Sequence, residues 1–91
     1  MIEKTVTVTN KLGLHARPSA KVVQTATSFK SEVFLIKGEM TINAKSMLGV
    51  IALAAEFGSK LLLRVEGEDE KDAARTLIRL FKNKFRDENG E

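Results

Sequence analysis

The spacing of apolar residues in this chain switches repeatedly between two and three-to-four. That alternation limits the folds open to it, because strands bury every second residue and helices bury one stripe. Ile2, Val6 and Val8 alternate with Glu3, Thr5 and Thr7, with Lys4 out of step, so residues 2–9 predict a strand with one covered face. Asn10 to His15 reads as a loop with Gly13 as its flexible point. Residues 16–28 predict a helix in which Val22, Ala26 and Phe29 share a stripe and Ala20 and Val23 lie beside it. Pro18 falls in the first turn, where a missing N–H costs little. Residues 31–37 and 40–43 predict two strands joined by a tight Gly38-Glu39 turn. A short helix follows over 47–57, with Ser46 as N-cap, Gly58 just past its end, and Val50, Leu53 and Ala54 on its core side. Residues 60–67 predict a fourth strand, with Leu61, Leu63 and Val65 on one face. Glu68-Asp69-Glu70 puts acid where a last helix begins. Ala73, Leu77, Phe81 and Phe85 extend that helix at a spacing of four, with Ala74 and Ile78 alongside. Lys82, Lys84 and Arg86 read as its solvated face, and the polar tail 87–91 as frayed.

The order βαββαβα predicts an α/β (α+β) protein. It is a two-layer open-faced sandwich, with a four-stranded, mainly antiparallel sheet and three helices on one face. Ninety-one residues make one domain, 1–91. The absence of cysteine excludes disulfides, thiol nucleophiles and thiolate metal sites. With one histidine and no acidic cluster inside the fold, neither a metal nor a cofactor is expected. The N-terminus lacks the pattern of a signal peptide, and no run approaches the ~20 apolar residues of a membrane span, so a cytoplasmic protein with no membrane partner is expected. Fifteen Lys and Arg against twelve Asp and Glu give a net charge of +3, which permits an acidic partner surface. With no Trp or Tyr and five Phe, the chain lacks the aromatic platform of a nucleic-acid binder.

His15 is the candidate with a chemical context. In Gly13-Leu14-His15-Ala16-Arg17-Pro18 it takes the last loop position before a helix. The N–H groups of a first helical turn have no intrahelical acceptor, and with the macrodipole they form a ready anion site. Those of Ala16 and Arg17 are the expected phosphate-binding backbone. The Arg17 guanidinium adds a fork that fits phosphate oxygens. One segment thus offers a nucleophile, a backbone cradle and a cation, which suits a histidine that takes a phosphoryl group and passes it on. The bare residues equally allow a solvated histidine, a surface charge and a proline that starts a helix.

The chain resembles the HPr family, the histidine-containing phosphocarriers of the bacterial phosphoenolpyruvate:sugar phosphotransferase system. The resemblance spans residues 2–86. It rests on Gly13-Leu14-His15-Ala16-Arg17-Pro18 and on Asn43-Ala44-Lys45-Ser46-Met47-Leu48-Gly49-Val50, followed by the Glu66-Gly67-Glu68-Asp69-Glu70 turn. It implies the same βαββαβα sandwich. It also implies that His15 accepts a phosphoryl group on Nδ1 from enzyme I and donates it to IIA domains of sugar transporters, assisted by Arg17. Such a protein is a carrier rather than an enzyme, and a monomer is expected. Ser46 matches a serine that an ATP-dependent HPr kinase/phosphorylase modifies in many members. This implies that kinase and a catabolite-control regulator as further partners. Ala20, Met47, Leu48 and Ile51 match the family's docking patch, so Met47 and Leu48 are expected to be exposed.

Gln24 and Thr27 are neutral where some members carry lysines, which leaves Arg17, Lys21 and Lys45 to supply positive charge near the site. Two other classes remain in view. An RNA-binding or ferredoxin-like module would need stacking aromatics on exposed strands, and Phe34 alone does not supply them. An HPr-like regulatory protein would act in carbon or nitrogen control without sugar transport.

Overall fold

Four strands and three helices occur in a computed structural model that describes residues 1–86. The tail read as frayed, 87–91, lies outside the described residues. In chain order they are β1 (Ile2–Thr7), α1 (Ala16–Thr27), β2 (Glu32–Lys37), β3 (Met40–Asn43), α2 (Met47–Ala52), β4 (Lys60–Glu66) and α3 (Glu70–Lys82). The sheet order is β1-β4-β2-β3, and every neighbouring pair is antiparallel.

Register explains which side chains meet the helices. Val6 pairs with Leu61, and Val33 with Val65, which pairs in turn with Ile2. Leu35 lies between Leu63 and Ile42. These residues share the face that α1 and α3 cover, and Val6, Val33, Leu35, Leu61, Leu63 and Val65 are buried. Val22 and Ala26 of α1 and Ala73, Ala74, Leu77 and Phe81 of α3 fill the space above them. The opposite face carries the cross-strand row Glu3, Arg64, Phe34 and Asn43, with an Arg64 Nε to Glu3 Oε2 bond of 2.8 Å. Lys4, the residue out of step, falls on the covered side of the edge strand β1 and stays exposed. A charge turned inward on an edge strand discourages another chain from adding to it.

Three expectations are corrected at element ends. β1 stops at Thr7, although Val8 continues the pairing through bonds to Gly58 and Ser59. α2 ends at Ala52 rather than at 57. Ala54, with φ 49°, takes the left-handed position after it, and Lys37 Nζ donates to the carbonyls of Leu53 and Ala54. Gly58 therefore serves the turn into β4, and Ala54 is exposed while Val50, Leu53 and Ala55 are buried. α3 ends at Lys82, so Phe85 reaches the core by another route.

Candidate functional site

The loop between β1 and α1 is pinned from several sides. Thr9 Oγ1 donates to the Phe81 carbonyl at 2.9 Å, which ties the loop's start to α3. Gly13 has φ 72°, and a Cβ there would lie 2.6 Å from the Ala55 carbonyl oxygen. Only glycine fits, on both conformational and steric grounds. The Gly13 N–H donates to the Asn10 carbonyl, and Asn10 Nδ2 donates back to the Gly13 carbonyl at 2.6 Å. The Leu14 N–H donates to the Ala55 carbonyl at 2.9 Å, and the Leu14 side chain is buried. The segment after α2 thus forms the bed on which the loop lies.

His15 follows as the N-cap of α1, in extended backbone conformation. Its carbonyl accepts the Ser19 N–H at 3.0 Å, the first bond of the helix. Its imidazole is exposed and makes no capping bond, so the ring is left to other chemistry. Buried Ser19 turns its hydroxyl back to the Leu14 carbonyl at 3.0 Å, and buried Pro18 anchors the first turn against the fold. The start of α1 is rigid, positively polarised and open to solvent.

The imidazole shares an open cleft of about 370 Å³ with Arg17 and Lys21 of α1 and with Lys84 and Arg86 beyond α3. Pro18 and Phe85 are among the residues of its wall. Lys21 Nζ donates to the Phe85 carbonyl at 2.7 Å. The cleft therefore gathers more cations than the sequence motif alone announced. Lys84 and Arg86 were expected on the solvated face of a helix, and the structure places them after that helix has ended. Lys45, expected to contribute charge near the site, is committed elsewhere: its Nζ donates to the Phe29 carbonyl at 2.9 Å, beyond the far end of α1 from His15.

Ser46 caps α2 as expected, its Oγ accepting the Gly49 N–H at 3.1 Å. It is exposed. The Lys45–Phe29 bond puts the start of α2 beside the end of α1, whereas the Leu14–Ala55 bond puts the segment after α2 beside the His15 loop. His15 and Ser46 therefore lie at opposite ends of a neighbouring helix pair. Between them Leu48 is 83% exposed and Ile51 45%. Met47 and Ala20 are half-buried, so the expectation that Met47 is exposed is corrected. Leu12, 79% exposed, and Phe57, 63% exposed, also stand out from the surface. Both sit in loops and outside any periodic stripe, so no spacing argument singled them out.

The start of α3 is an unrelated cluster. The Asp69 carboxylate accepts the Ser31 hydroxyl and the N–H groups of Lys30 and Ser31. The Ser31 hydroxyl, followed by the Lys30 N–H, holds its pKa down at about 2. Glu70 is also lowered, by the Gly67 N–H and the terminal amine of Met1, each at 3.1 Å. These contacts fasten α3 to the α1–β2 connection and to the N-terminus. Among the described residues, no cluster of three His, Asp or Glu suited to a metal occurs, and no helix is long and apolar enough to cross a membrane.

A family model described as "PTS HPr component phosphorylation site" matches residues 2–83. The phosphocarrier protein HPr of Treponema pallidum (strain Nichols) is 50% identical over 88 residues, which cover 97% of this chain and 100% of that protein. The HPr-like protein Crh of Halalkalibacterium halodurans is 47% identical over 78 residues, 86% of this chain and 93% of that one. The crystal structure of HPr-C-His from Thermoanaerobacter tengcongensis superposes with a TM-score of 0.92 at 42% identity, covering 97% of this chain and 99% of that chain.

Proposed function

The chain belongs to the HPr family of the phosphotransferase system, and from that premise we propose that it is a cytoplasmic phosphocarrier whose His15 accepts a phosphoryl group from enzyme I and donates it to sugar-permease IIA domains. The observation that carries this reading is the start of α1, where the imidazole stands exposed and unused for capping in a cleft it shares with Arg17. In the transfer, the Nδ1 lone pair forms a new P–N bond while the bond to the donor breaks. The first-turn N–H groups and Arg17 stabilise the charge on the phosphoryl oxygens in flight. Onward transfer reverses these roles. The phosphoryl group is consumed by its acceptor each cycle, so the protein acts as a carrier rather than an enzyme.

Ala20, Met47, Leu48 and Ile51 form the docking patch in this reading, with the chain acting as a monomer that binds and releases each partner quickly. Ser46 is the regulatory position. A phosphate there sits at a helix start that tolerates it, yet it brings negative charge to the patch that acidic partners must approach. An HPr kinase/phosphorylase and a catabolite-control regulator are the partners this implies. The likeness to the HPr-like protein Crh supports a second reading, a regulatory protein without sugar transport.

The deciding experiment incubates the chain with phosphoenolpyruvate and enzyme I. Acid-labile label transferable to a IIA domain is expected. A parallel incubation with ATP and an HPr kinase/phosphorylase completes the test: acid-stable label there, with no label from phosphoenolpyruvate, would replace the carrier reading with the regulatory one.

A further inference from the structure

Beyond α3 the backbone turns back toward His15 in an unusual manner. The Lys84 N–H donates to the Phe81 carbonyl at 3.3 Å and the Phe85 N–H to the Leu80 carbonyl at 2.9 Å. This is the paired bonding of a Schellman ending, which calls for one left-handed residue and usually finds glycine there. Here Lys84 has φ 61° and Phe85 φ 62°, so two consecutive residues with side chains are left-handed. The ending itself needs only the first. The second turns the chain further, and specific contacts hold it. Phe85 is buried, its ring 4.9 Å from that of Phe81 in an edge-on arrangement. The Arg86 N–H reaches the Asn83 carbonyl, and Lys21 Nζ bonds the Phe85 carbonyl at 2.7 Å. As a result the two exposed residues flanking Phe85, Lys84 and Arg86, line the cleft that holds His15 and Arg17.

We infer that Lys84 and Arg86 bind the phosphoryl group carried by His15, forming a second cationic wall to the cleft beside Arg17. The inference rests on the reading of His15 as the phosphoryl acceptor. Bonds from a cation to phosphate oxygens are charge-assisted, so cations on two walls favour the phosphorylated chain over the free one. A guanidinium grips two oxygens, and an ammonium acts as a compact point charge. Their effect is to deepen the phosphorylated state relative to the donor, shifting an equilibrium rather than creating a new step.

The test uses the full chain carrying Lys84→Gln with Arg86→Gln, compared with the charge-keeping pair Lys84→Arg with Arg86→Lys. At low ionic strength, the phosphorylated fraction at equilibrium with phosphoenolpyruvate, pyruvate and enzyme I should correspond to an equilibrium constant roughly five- to thirty-fold lower in the glutamine pair. The charge-keeping pair should stay near the parent, and added salt should shrink the difference. Equal constants in all three proteins, with unchanged melting, would overturn the inference. A parent chain that takes no label removes the His15 reading instead. A titration of the unphosphorylated chain with inorganic phosphate, followed at the backbone amides of Ala16, Arg17, Lys84 and Arg86, then decides separately. Binding weakened several-fold in the glutamine pair supports the second wall, and identical binding refutes it.

Discussion

Helices α1 and α2 both begin on a residue in extended conformation, His15 at φ −78°, ψ −172° and Ser46 at φ −104°, ψ 116°. Ser46 spends its side chain on the helix, accepting the Gly49 N–H. His15 does not, and the first turn of α1 contains a proline and no acidic residue. One helix start is capped by the side chain of its own first residue, and the other is not. The energetic consequence is a division of labour. The short α2, six residues long, depends on its cap because so brief a helix cannot hold itself. The longer α1 is held by Pro18, Ser19 and Val22 packed beneath it, and does without a side-chain cap.

Replacing His15 gives the largest expected effect. His15→Ala should abolish acid-labile labelling and leave unfolding free energy within about 0.5 kcal/mol, since no bond of that side chain holds the helix. Residual acid-labile label would contradict the assignment. His15→Asp sharpens the contrast. It supplies the missing cap, so labelling should vanish while stability rises by about 1 kcal/mol in a denaturant titration. Stability that falls instead would mean that the start of α1 is not an open cap.

Arg17→Ala comes next. Transfer from enzyme I should slow by roughly ten- to a thousand-fold, or ~1.4–4 kcal/mol of barrier, with an unaltered circular dichroism spectrum. Transfer rates equal to the parent's would reduce Arg17 to a surface charge.

Ser46 should show the reverse balance. Ser46→Ala is expected to cost about 1 kcal/mol by loss of the cap, with labelling at His15 retained. Ser46→Asp should keep stability at or slightly above the parent, because a carboxylate suits that position, while enzyme I binding weakens several-fold at low salt. Unchanged binding would remove the start of α2 from the partner face.

Much of this contrast is legible in the sequence, because it is local. A serine before an apolar run reads as a cap, and a histidine before Ala-Arg-Pro reads as an open helix start. The sheet is legible for the same reason, since Leu61, Leu63 and Val65 announce their buried face by spacing alone. The element ends were less legible. Helix ends are usually recognised by glycine, but α2 gives way to left-handed Ala54 and α3 to left-handed Lys84. Left-handed residues with a Cβ cost roughly 1–2 kcal/mol each, and contacts distant in sequence must offset that. Lys37 on the carbonyls of Leu53 and Ala54, and Phe85 against Phe81, are contacts of that kind. Phe85 misled for a further reason. The hydrophobic residue of a Schellman ending folds back on the helix's own buried side, so the spacing of four survives after the helix has stopped.

The third helix start gives the smallest effect and closes the comparison. Asp69 begins α3, yet its carboxylate serves Ser31 and Lys30 on another segment. With a folded pKa of about 2 against an ordinary 3.8, its contribution is present above the ordinary value. It is lost as pH falls from there through 2. Melting temperature should decline over that window in the parent, and Asp69→Asn should lower it at neutral pH and flatten the acid decline. An identical acid limb in both proteins would mean the carboxylate contributes nothing there.

The strand order β1-β4-β2-β3 sets the first strand beside the last one made. During synthesis, β2 and β3 meet across a two-residue turn almost as soon as they emerge, but β1 waits for β4. The loop bearing His15 hangs from β1, lies on the segment just before β4 and is tied by Thr9 to α3, so its supports come together at that late encounter or after it. Local pairs close quickly and distant ones slowly, because loop closure must precede contact. The end of the molecule that bears His15 is therefore the part that a nascent or truncated chain assembles last. A chain lacking β4 would still carry His15 and the segment it lies on, but β1 would have no strand to pair with and the loop would lose its anchor.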